Sequence, residues 1–294
     1  MSLTRRNLLK AAAGSMVVVT LSGIETDARK AEKPLEKSKN QLKLGLFQHI
    51  PKPWRLEENF DVFLRALDAA SASGVELLVI PECFLDGYAA PDKKSTRERL
   101  FQIAQEVGNS SYLDRVGQEA KNRRMSIVFG FTQKDGKKLY NAAGLWNAEG
   151  KLVGVYHKTH LQMHDKQYDP GESLPVFESS WGPLGIMICA DRRWPETARV
   201  LRLQGARLIL CPSYGMCHEA NEWWMRTRSY ENDCFVAFAH PEVGFVTNPD
   251  GNIVRKLAGK DEGVLSVEVD LSNADNHTHL DDRRPELYQI ICRK

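Results

Sequence analysis

Three side chains in the sequence could together form a nucleophile, a base and an oxyanion stabiliser: a thiol, a carboxylate and an ammonium, each at the end of an apolar run. Cys189 follows Gly185-Ile186-Met187-Ile188 and precedes Ala190-Asp191-Arg192-Arg193. A strand that stops at a nucleophile and turns into a helix presents the side chain at a sheet edge. There helix-terminal N–H groups can receive developing negative charge. Two neighbouring arginines and the helix start are expected to lower the thiol pKa, and the thiolate is the reactive form. Glu82 follows Val79-Ile80-Pro81, again at a strand's carboxyl end, where open α/β sheets gather their sites. Lys158 lies in Tyr156-His157-Lys158-Thr159-His160-Leu161, just beyond an apolar run over 152–156. Taken singly, each position also fits an ordinary fate: a buried cysteine, a solvated loop carboxylate, a surface lysine.

Holding three side chains at strand ends requires a layered framework, and the hydrophobic pattern supplies one. Apolar runs predict strands over 42–48, 77–80, 126–131, 152–156, 184–188, 208–211, 234–239 and 264–269. Phe60, Phe63, Leu64, Leu67 and Ala70 recur at helical spacing within 56–72, and further helices are expected over 100–107, 112–122, 195–204 and 220–232. Glu149-Gly150, between 139–147 and 152–156, is a hairpin signal; Pro249-Asp250-Gly251 marks a turn between Phe245 and 253–257. Strands separated by helices, with a late cluster of hairpins and no internal repeat, argue for an α/β layered fold built as one domain.

The chain has 294 residues, 42% hydrophobic and 27% charged, which excludes a disordered, collagen-like or coiled-coil body. A formal charge of +2 shows no basic excess for nucleic acid or a membrane surface. Thr4-Arg5-Arg6-Asn7-Leu8-Leu9-Lys10 precedes an apolar run over 11–24, shorter than the roughly 20 residues that span a bilayer. A basic start, a short apolar core and a small-residue exit at Thr26-Asp27-Ala28 describe a secretory signal over 1–28. The paired arginines resemble a twin-arginine signal, which implies export of the folded protein to a periplasmic or other extracytoplasmic space. Residues 29–41 are charged, Lys/Glu-rich and aperiodic, which predicts a linker ahead of a domain over 42–294. Cys83, Cys189, Cys211, Cys217, Cys234 and Cys292 contain no CxxC pair, so a structural zinc site of the usual spacing is not expected. In a large chain that folds in a reducing cytoplasm before export, they read as thiols rather than a disulfide framework.

Pro81-Glu82-Cys83-Phe84-Leu85-Asp86-Gly87-Tyr88, Tyr156-His157-Lys158-Thr159-His160-Leu161 and Cys189-Ala190-Asp191-Arg192-Arg193-Trp194-Pro195-Glu196 resemble the three signature blocks of the nitrilase, or carbon–nitrogen hydrolase, superfamily, in that family's order. Arg226-Thr227-Arg228-Ser229-Tyr230-Glu231-Asn232, Asn248-Pro249-Asp250-Gly251 and Arg283-Arg284-Pro285-Glu286-Leu287-Tyr288 add to the agreement, which covers about residues 42 to 290. The resemblance implies a four-layer α-β-β-α sandwich, homodimers or larger homo-oligomers formed through the outer helices, and no metal or organic cofactor. It also implies Glu82 as general base, Cys189 as nucleophile and Lys158 as the cation that steadies a tetrahedral oxyanion. Attack on an amide or ureido carbonyl would release ammonia or an amine and leave a thioester, which water activated by Glu82 would hydrolyse.

The family usually carries a second Glu six residues before the Pro-Gly that follows the lysine block. Counting back from Pro170 reaches His164, with Asp165 beside it. Asp165 and His164 are thus candidates for a second acid/base, and loss of that role would leave a catalytically impaired small-molecule-binding relative. Asp191-Arg192-Arg193-Trp194-Pro195-Glu196-Thr197, with Leu203-Gln204-Gly205 beyond, looks most like the N-carbamoyl amino acid amidohydrolase branch. That likeness implies Arg192 and Arg193 as grips for a substrate carboxylate, which suits a guanidinium fork, and makes His160 a further matching position. Arg193 is equally open to an internal ion pair with Asp191 or Glu196. A different chemistry is also available. His157, His160 and His164 stand at spacings of three and four, which on a helix would line one face and could hold a metal for a metal-dependent hydrolase. Against it, the run over 152–156 reads as a strand leading into them. The expected partner is a small amide or carbamoyl substrate, with no nucleic acid and no stable membrane insertion after signal cleavage.

Overall fold

The computed structural model describes residues 40–292; the expected signal over 1–28, and all but the end of the linker over 29–41, lie outside the described residues. The chain begins with β1 (Gln41–Gln48), crosses over through α1 (Leu56–Ala72) and returns parallel as β2 (Leu77–Val79). α1 forms where expected because Phe60, Phe63, Leu67 and Ala70 make one apolar face, and that face is buried. α2 (Arg97–Ile103) and α3 (Ser111–Arg123) follow, then an antiparallel meander of β3 (Ser126–Asp135), β4 (Lys138–Trp146) and β5 (Leu152–His157). The second half contains β6 (Val176–Phe177), β7 (Leu184–Ile186), α4 (Pro195–Leu203), β8 (Leu208–Pro212) and α5 (Ala220–Glu231). It ends with β9 (Phe235–Ala239), β10 (Val243–Thr247), β11 (Ile253–Ala258) and β12 (Gly263–Asp270).

These strands form two six-stranded sheets, ordered β12-β1-β2-β3-β4-β5 and β11-β10-β9-β8-β7-β6. β12 returns to the first sheet and pairs antiparallel with β1 from Gln41↔Asp270 to Gln48↔Gly263, so the last strand locks the first. Leu44, Leu46, Val79 and Val128 of one sheet share a buried core with Ile186, Leu210, Ala237 and Val246 of the other. α1 and α3 cover the outer face of the first sheet, packing Phe63 and Val116 with Ile127 and Phe129. α4 and α5 cover the second, packing Ala198, Leu201 and Met225 with Ile209 and Val236. The result is the expected α-β-β-α sandwich in one domain. Each fully buried Leu or Phe in these layers is worth about 1.5–3 kcal/mol, and strands covered on both faces read as continuous apolar runs.

One helix differs from its expected span. α2 occupies Arg97–Ile103 instead of 100–107, because Thr96 caps its start by accepting from the Arg99 N–H and Ala104 is already extended. Gln105 leaves the helix to bridge β3, its N–H donating to the Thr132 carbonyl at 2.8 Å. β3 runs beyond 131 to Asp135 because its polar end still pairs with β4. Among the described residues no helix is long and apolar enough to cross a membrane.

Candidate active site

Past β2 the chain leaves the sheet in a tight turn in which Cys83 (φ 44°), Gly87 (φ 73°) and Tyr88 (φ 49°) are all left-handed. A non-glycine residue held there costs about 1–3 kcal/mol, so the surroundings must fix it. Asp86 is the main tie: Oδ1 accepts from the Ala89 N–H at 3.0 Å, and Oδ2 from the Thr132 N–H at 3.1 Å and hydroxyl at 2.9 Å. Burial pushes the Asp86 carboxyl up to about 6. Gly130 lets the turn lie on β3, since a Cβ there would stand 2.3 Å from the Pro81 carbonyl oxygen and 2.8 Å from the Cys83 nitrogen. The turn thereby carries Glu82 into the interior, 1% exposed.

β5 delivers Lys158, whose N–H donates to the Asn141 carbonyl at 2.9 Å. Its buried Nζ lies 2.8 Å from Glu82 Oε1 and 2.8 Å from Asp165 Oδ2. Burial opposes the ammonium charge, but Glu82, Cys189 and Asp165 outweigh it and raise the lysine above its ordinary range. Asn141 Nδ2 donates to Glu82 Oε1 at 2.7 Å, and the Tyr88 hydroxyl to Asp165 Oδ1 at 2.6 Å. Glu82 Oε1 therefore accepts twice, whereas the buried Oε2 has no hydrogen-bond partner among the described residues. An acceptor left in that state is costly unless something else uses it, and a proton acceptor for a neighbouring thiol is such a use.

β7 leads to Cys189, which has φ 46° and opens a short 3-10 helix, Cys189–Arg193. Asp191 fastens this turn to the lysine loop. Its Oδ2 accepts from the Ile188 N–H at 2.9 Å and the Tyr156 hydroxyl at 2.7 Å. Its Oδ1 accepts from the Thr159 hydroxyl at 2.9 Å and the His160 N–H at 2.8 Å. The Cys189 thiol donates to the Tyr214 carbonyl at 3.2 Å and accepts from Arg192 Nη1 at 3.2 Å. Burial first and Glu82 second push the thiol pKa up; Lys158 and Arg192 pull it down by less. The expected lowering is thus overturned: the helix start is a single 3-10 turn, and only one of the two arginines reaches the sulfur.

The paired arginines diverge. Arg192 is 2% exposed and donates from Nε and Nη2 to Asn221 Oδ1 at 3.0 and 2.7 Å. Arg193 is exposed, donating to Gln162 Oε1 at 2.8 Å, and it forms no ion pair with Asp191 or Glu196 among the described residues. His160 lies beside Asp191 and stacks on Trp194 with ring centroids 4.3 Å apart. Between the two candidates for the second acid/base, Asp165 is the one against Lys158; His164 is half exposed, with Nε2 4.0 Å from Asp165 Oδ2. The metal-holding reading of the histidines fails. A strand, not a helix, leads into them, and His157 stacks on Tyr140 and meets Gln133 while the other two face elsewhere. Among the described residues no group of three or more His, Cys, Asp or Glu side chains is placed to hold a metal ion. Asn141, Asp191, Asn221 and the Tyr214 carbonyl escape the reading of the sequence as site residues. Asn141 had a signal, being a lone amide in the apolar strand β4.

The fold agrees with comparisons across known proteins. The carbon-nitrogen hydrolase family profile matches residues 43–277. A Pseudomonas protegens protein named as a hydrolase in the pqqF 5′ region is 32% identical over 275 residues, covering 86% of this chain and 93% of its own. A nitrilase from Pyrococcus abyssi is 30% identical over 266 residues, covering 84% of this chain and 99% of its own. Among solved structures, an amidase from Nesterenkonia sp. is similar with a TM-score of 0.72 at 25% identity, over 85% of this chain and 96% of that one. A sandwich with this topology, matched by the family profile over most of its length, places the chain in the carbon-nitrogen hydrolase family, as a hydrolase of carbon–nitrogen bonds other than peptide bonds.

Proposed function

We propose that this hydrolase cleaves a small-molecule amide or ureido bond through a thioester on Cys189, with Glu82 as general base and Lys158 as oxyanion stabiliser. The observation that carries the reading is the buried pairing of Glu82 Oε1 with Lys158 Nζ at 2.8 Å and Asn141 Nδ2 at 2.7 Å, which leaves Oε2 without a hydrogen bond among the described residues. Because burial keeps the thiol protonated at rest, attack requires its proton to pass to Glu82 as sulfur bonds the carbonyl carbon. The carbonyl electron pair moves onto oxygen, where the Lys158 ammonium stabilises it. Collapse expels ammonia or an amine, which takes the proton from Glu82. Water then gives a proton to Glu82 and attacks the thioester, releasing the acid and restoring the thiol. Asp165 is the second carboxylate in this scheme, holding Lys158 from the other side at 2.8 Å. Its presence weighs against the alternative of an impaired binder, which rests on the missing Glu.

For the substrate we infer an N-carbamoyl amino acid. Support comes from Arg193, an exposed guanidinium engaged by the neutral Gln162 and suited to a carboxylate. The names of the relatives, nitrilase and amidase, leave plain amides as the second reading. Ammonia release from N-carbamoyl amino acids and aliphatic amides, with Cys189→Ala beside the wild type, tests both. Release abolished in Cys189→Ala supports the nucleophile, and retained release refutes it. Activity on plain amides alone discards the carboxylate role. Export through residues 1–28 belongs to the same proposal; a variant with Arg5 and Arg6 both replaced by Lys is expected to stay in the cytoplasmic fraction. A homo-oligomer is expected by light scattering.

A further inference from the structure

We propose that Arg192 is a catalytic residue: its guanidinium, anchored by Asn221, holds the Cys189 sulfur and stabilises the negative charge that builds there during attack. The inference rests on Cys189 being the nucleophile.

The geometry is that of a built clamp. One edge of the guanidinium, Nε and Nη2, is spent on Asn221 Oδ1 at 3.0 and 2.7 Å, which leaves Nη1 aimed at Sγ at 3.2 Å. Asn221 is itself fixed, Nδ2 donating to the Met216 carbonyl at 2.7 Å. The rings of Trp224 and Phe238 lie 5.3 and 5.5 Å from the guanidinium carbon. An amide oxygen and a thiol are thus the side-chain acceptors of a buried cation, and neither carries a full charge at rest. Burying a guanidinium without a counter-charge is expensive, and a sulfur that becomes anionic in the reaction supplies one.

The groups facing the sulfur make the same point. Glu82 from the turn after β2 raises the Cys189 thiol, and Lys158 after β5 and Arg192 lower it; Cys189 in turn acts on the Tyr88 phenol and the Cys211 thiol of β8, and Arg192 on His240. Lys158 and Arg192 are the cations among them, and Lys158 already has two carboxylates at 2.8 Å. Arg192 is the less neutralised of the two. It is also needed more: at rest the thiol points at the Tyr214 carbonyl, an oxygen that repels sulfur once the proton has gone.

A substrate carboxylate is the other anion this guanidinium could meet, and a test without substrate separates the two. Methyl methanethiosulfonate is applied to the full-length protein across a pH series, with Cys189 followed by peptide mass mapping. The Cys189 sulfur attacks the reagent's divalent S-methyl sulfur, the bond from that sulfur to the sulfonyl group breaks, a disulfide forms, methanesulfinate leaves with the bonding pair, and the thiol proton passes to Glu82 or solvent. In Arg192→Met the rate near neutral pH is expected to fall about tenfold and the midpoint of the profile to rise by about one pH unit. Arg192→Lys recovers part of this, lacking the fork that grips sulfur and amide together. Asn221→Asp gives the guanidinium a counter-charge but loses the donor to the Met216 carbonyl; with a thermal melt confirming its fold, it is expected to slow the reaction similarly. It keeps the question answerable if Arg192→Met fails to fold. Hydrolysis falls chiefly in kcat, alike for plain and carboxylated substrates. Wild-type modification profiles in Arg192→Met or Asn221→Asp overturn the clamp. A KM that rises for carboxylated substrates alone, with unchanged modification, reassigns Arg192 to substrate binding. Hydrolysis retained in Cys189→Ala instead removes the underlying nucleophile assignment, whatever the modification profile.

Discussion

Replacing Asp165 by Asn tests which of Asp165 and His164 serves as the second acid/base beside the lysine. In the native protein Asp165 Oδ2 accepts from Lys158 Nζ at 2.8 Å and the Gln162 N–H at 3.0 Å, and Oδ1 accepts from the Tyr88 hydroxyl at 2.6 Å. Asparagine keeps one acceptor and turns the other into an NH2. Facing Lys158, that NH2 meets an ammonium and a backbone N–H, so the better rotamer turns it toward Tyr88, whose hydroxyl must reverse. Lys158 then keeps an acceptor but loses a charge. One charge-assisted hydrogen bond is worth about 1.5–3 kcal/mol, below the 3–5 kcal/mol or so for breaking a buried pair outright, because Glu82 still faces Lys158 at 2.8 Å. Converted at about 1.4 kcal/mol per decade, kcat/KM should fall about 10- to 150-fold. The assay is initial-rate ammonia release, with a thermal melt to confirm folding. His164→Ala, at a half-exposed side chain 4.0 Å from the carboxylate, should stay within about twofold. Asp165→Asn within about threefold of wild type, or His164→Ala losing more than Asp165→Asn, would refute the reasoning.

Glu82→Gln should lower kcat by about 10²–10⁴-fold while the thermal melt shows an intact fold; a kcat within about tenfold of wild type would remove Glu82 as the general base. Gly130→Ala, whose Cβ would lie 2.3 Å from the Pro81 carbonyl oxygen, should displace the Glu82 turn and cost both melting temperature and kcat, whereas a wild-type-like variant would show that the turn has room. Asp86 makes stability depend on acid. Its carboxyl titrates at about 6 folded against 3.8 as the ordinary value, so the folded state binds more protons between these pH values and stability falls as pH rises through them. Two units or so correspond to about 3 kcal/mol, measurable by denaturant unfolding across that range; stability rising there would contradict the buried-carboxyl account.

The layers of this fold are legible because burial on both faces writes itself as continuous apolar runs, and α1 because its apolar face repeats at helical spacing. α2 is not, since a Thr cap and a bridge from Gln105 to a distant strand decide its ends, and neither depends on periodicity. In the site, Glu82, Lys158 and Cys189 are legible as strand-end residues in recognisable blocks, and the structure brings all three together. What spacing cannot supply is direction. Arg192 and Arg193 are adjacent in sequence and both lie over Trp224, yet one bonds Asn221 and the thiol and the other Gln162. His164 and Asp165 are adjacent too, and burial alone selects the carboxylate. The thiol departs furthest from expectation: neighbouring arginines suggest a lowered pKa, but the desolvation that comes with a closed interior raises it and is invisible in a sequence.

That raised thiol pKa is compatible with catalysis because of how charge is balanced around it. Two cations, Lys158 and Arg192, and two carboxylates, Glu82 and Asp165, are linked with a neutral thiol, so these four charges cancel at rest, while the Asp191 carboxylate is satisfied separately by the Ile188 and His160 N–H groups and the Tyr156 and Thr159 hydroxyls. In the proposed attack the proton moves from sulfur to Glu82, and negative charge moves from the carboxylate to sulfur and then to the substrate oxygen. The total never changes. A buried site that had to gain net charge would incur several kcal/mol of desolvation at each step; one that relocates charge among fixed partners avoids most of it. The thiol pKa describes losing a proton to bulk water, whereas here the proton stays within the set. The pH dependence of kcat/KM should therefore follow the coupled Glu82–Cys189 pair rather than either group alone. Replacing Glu82 should abolish that profile, while replacing Arg192 shifts it.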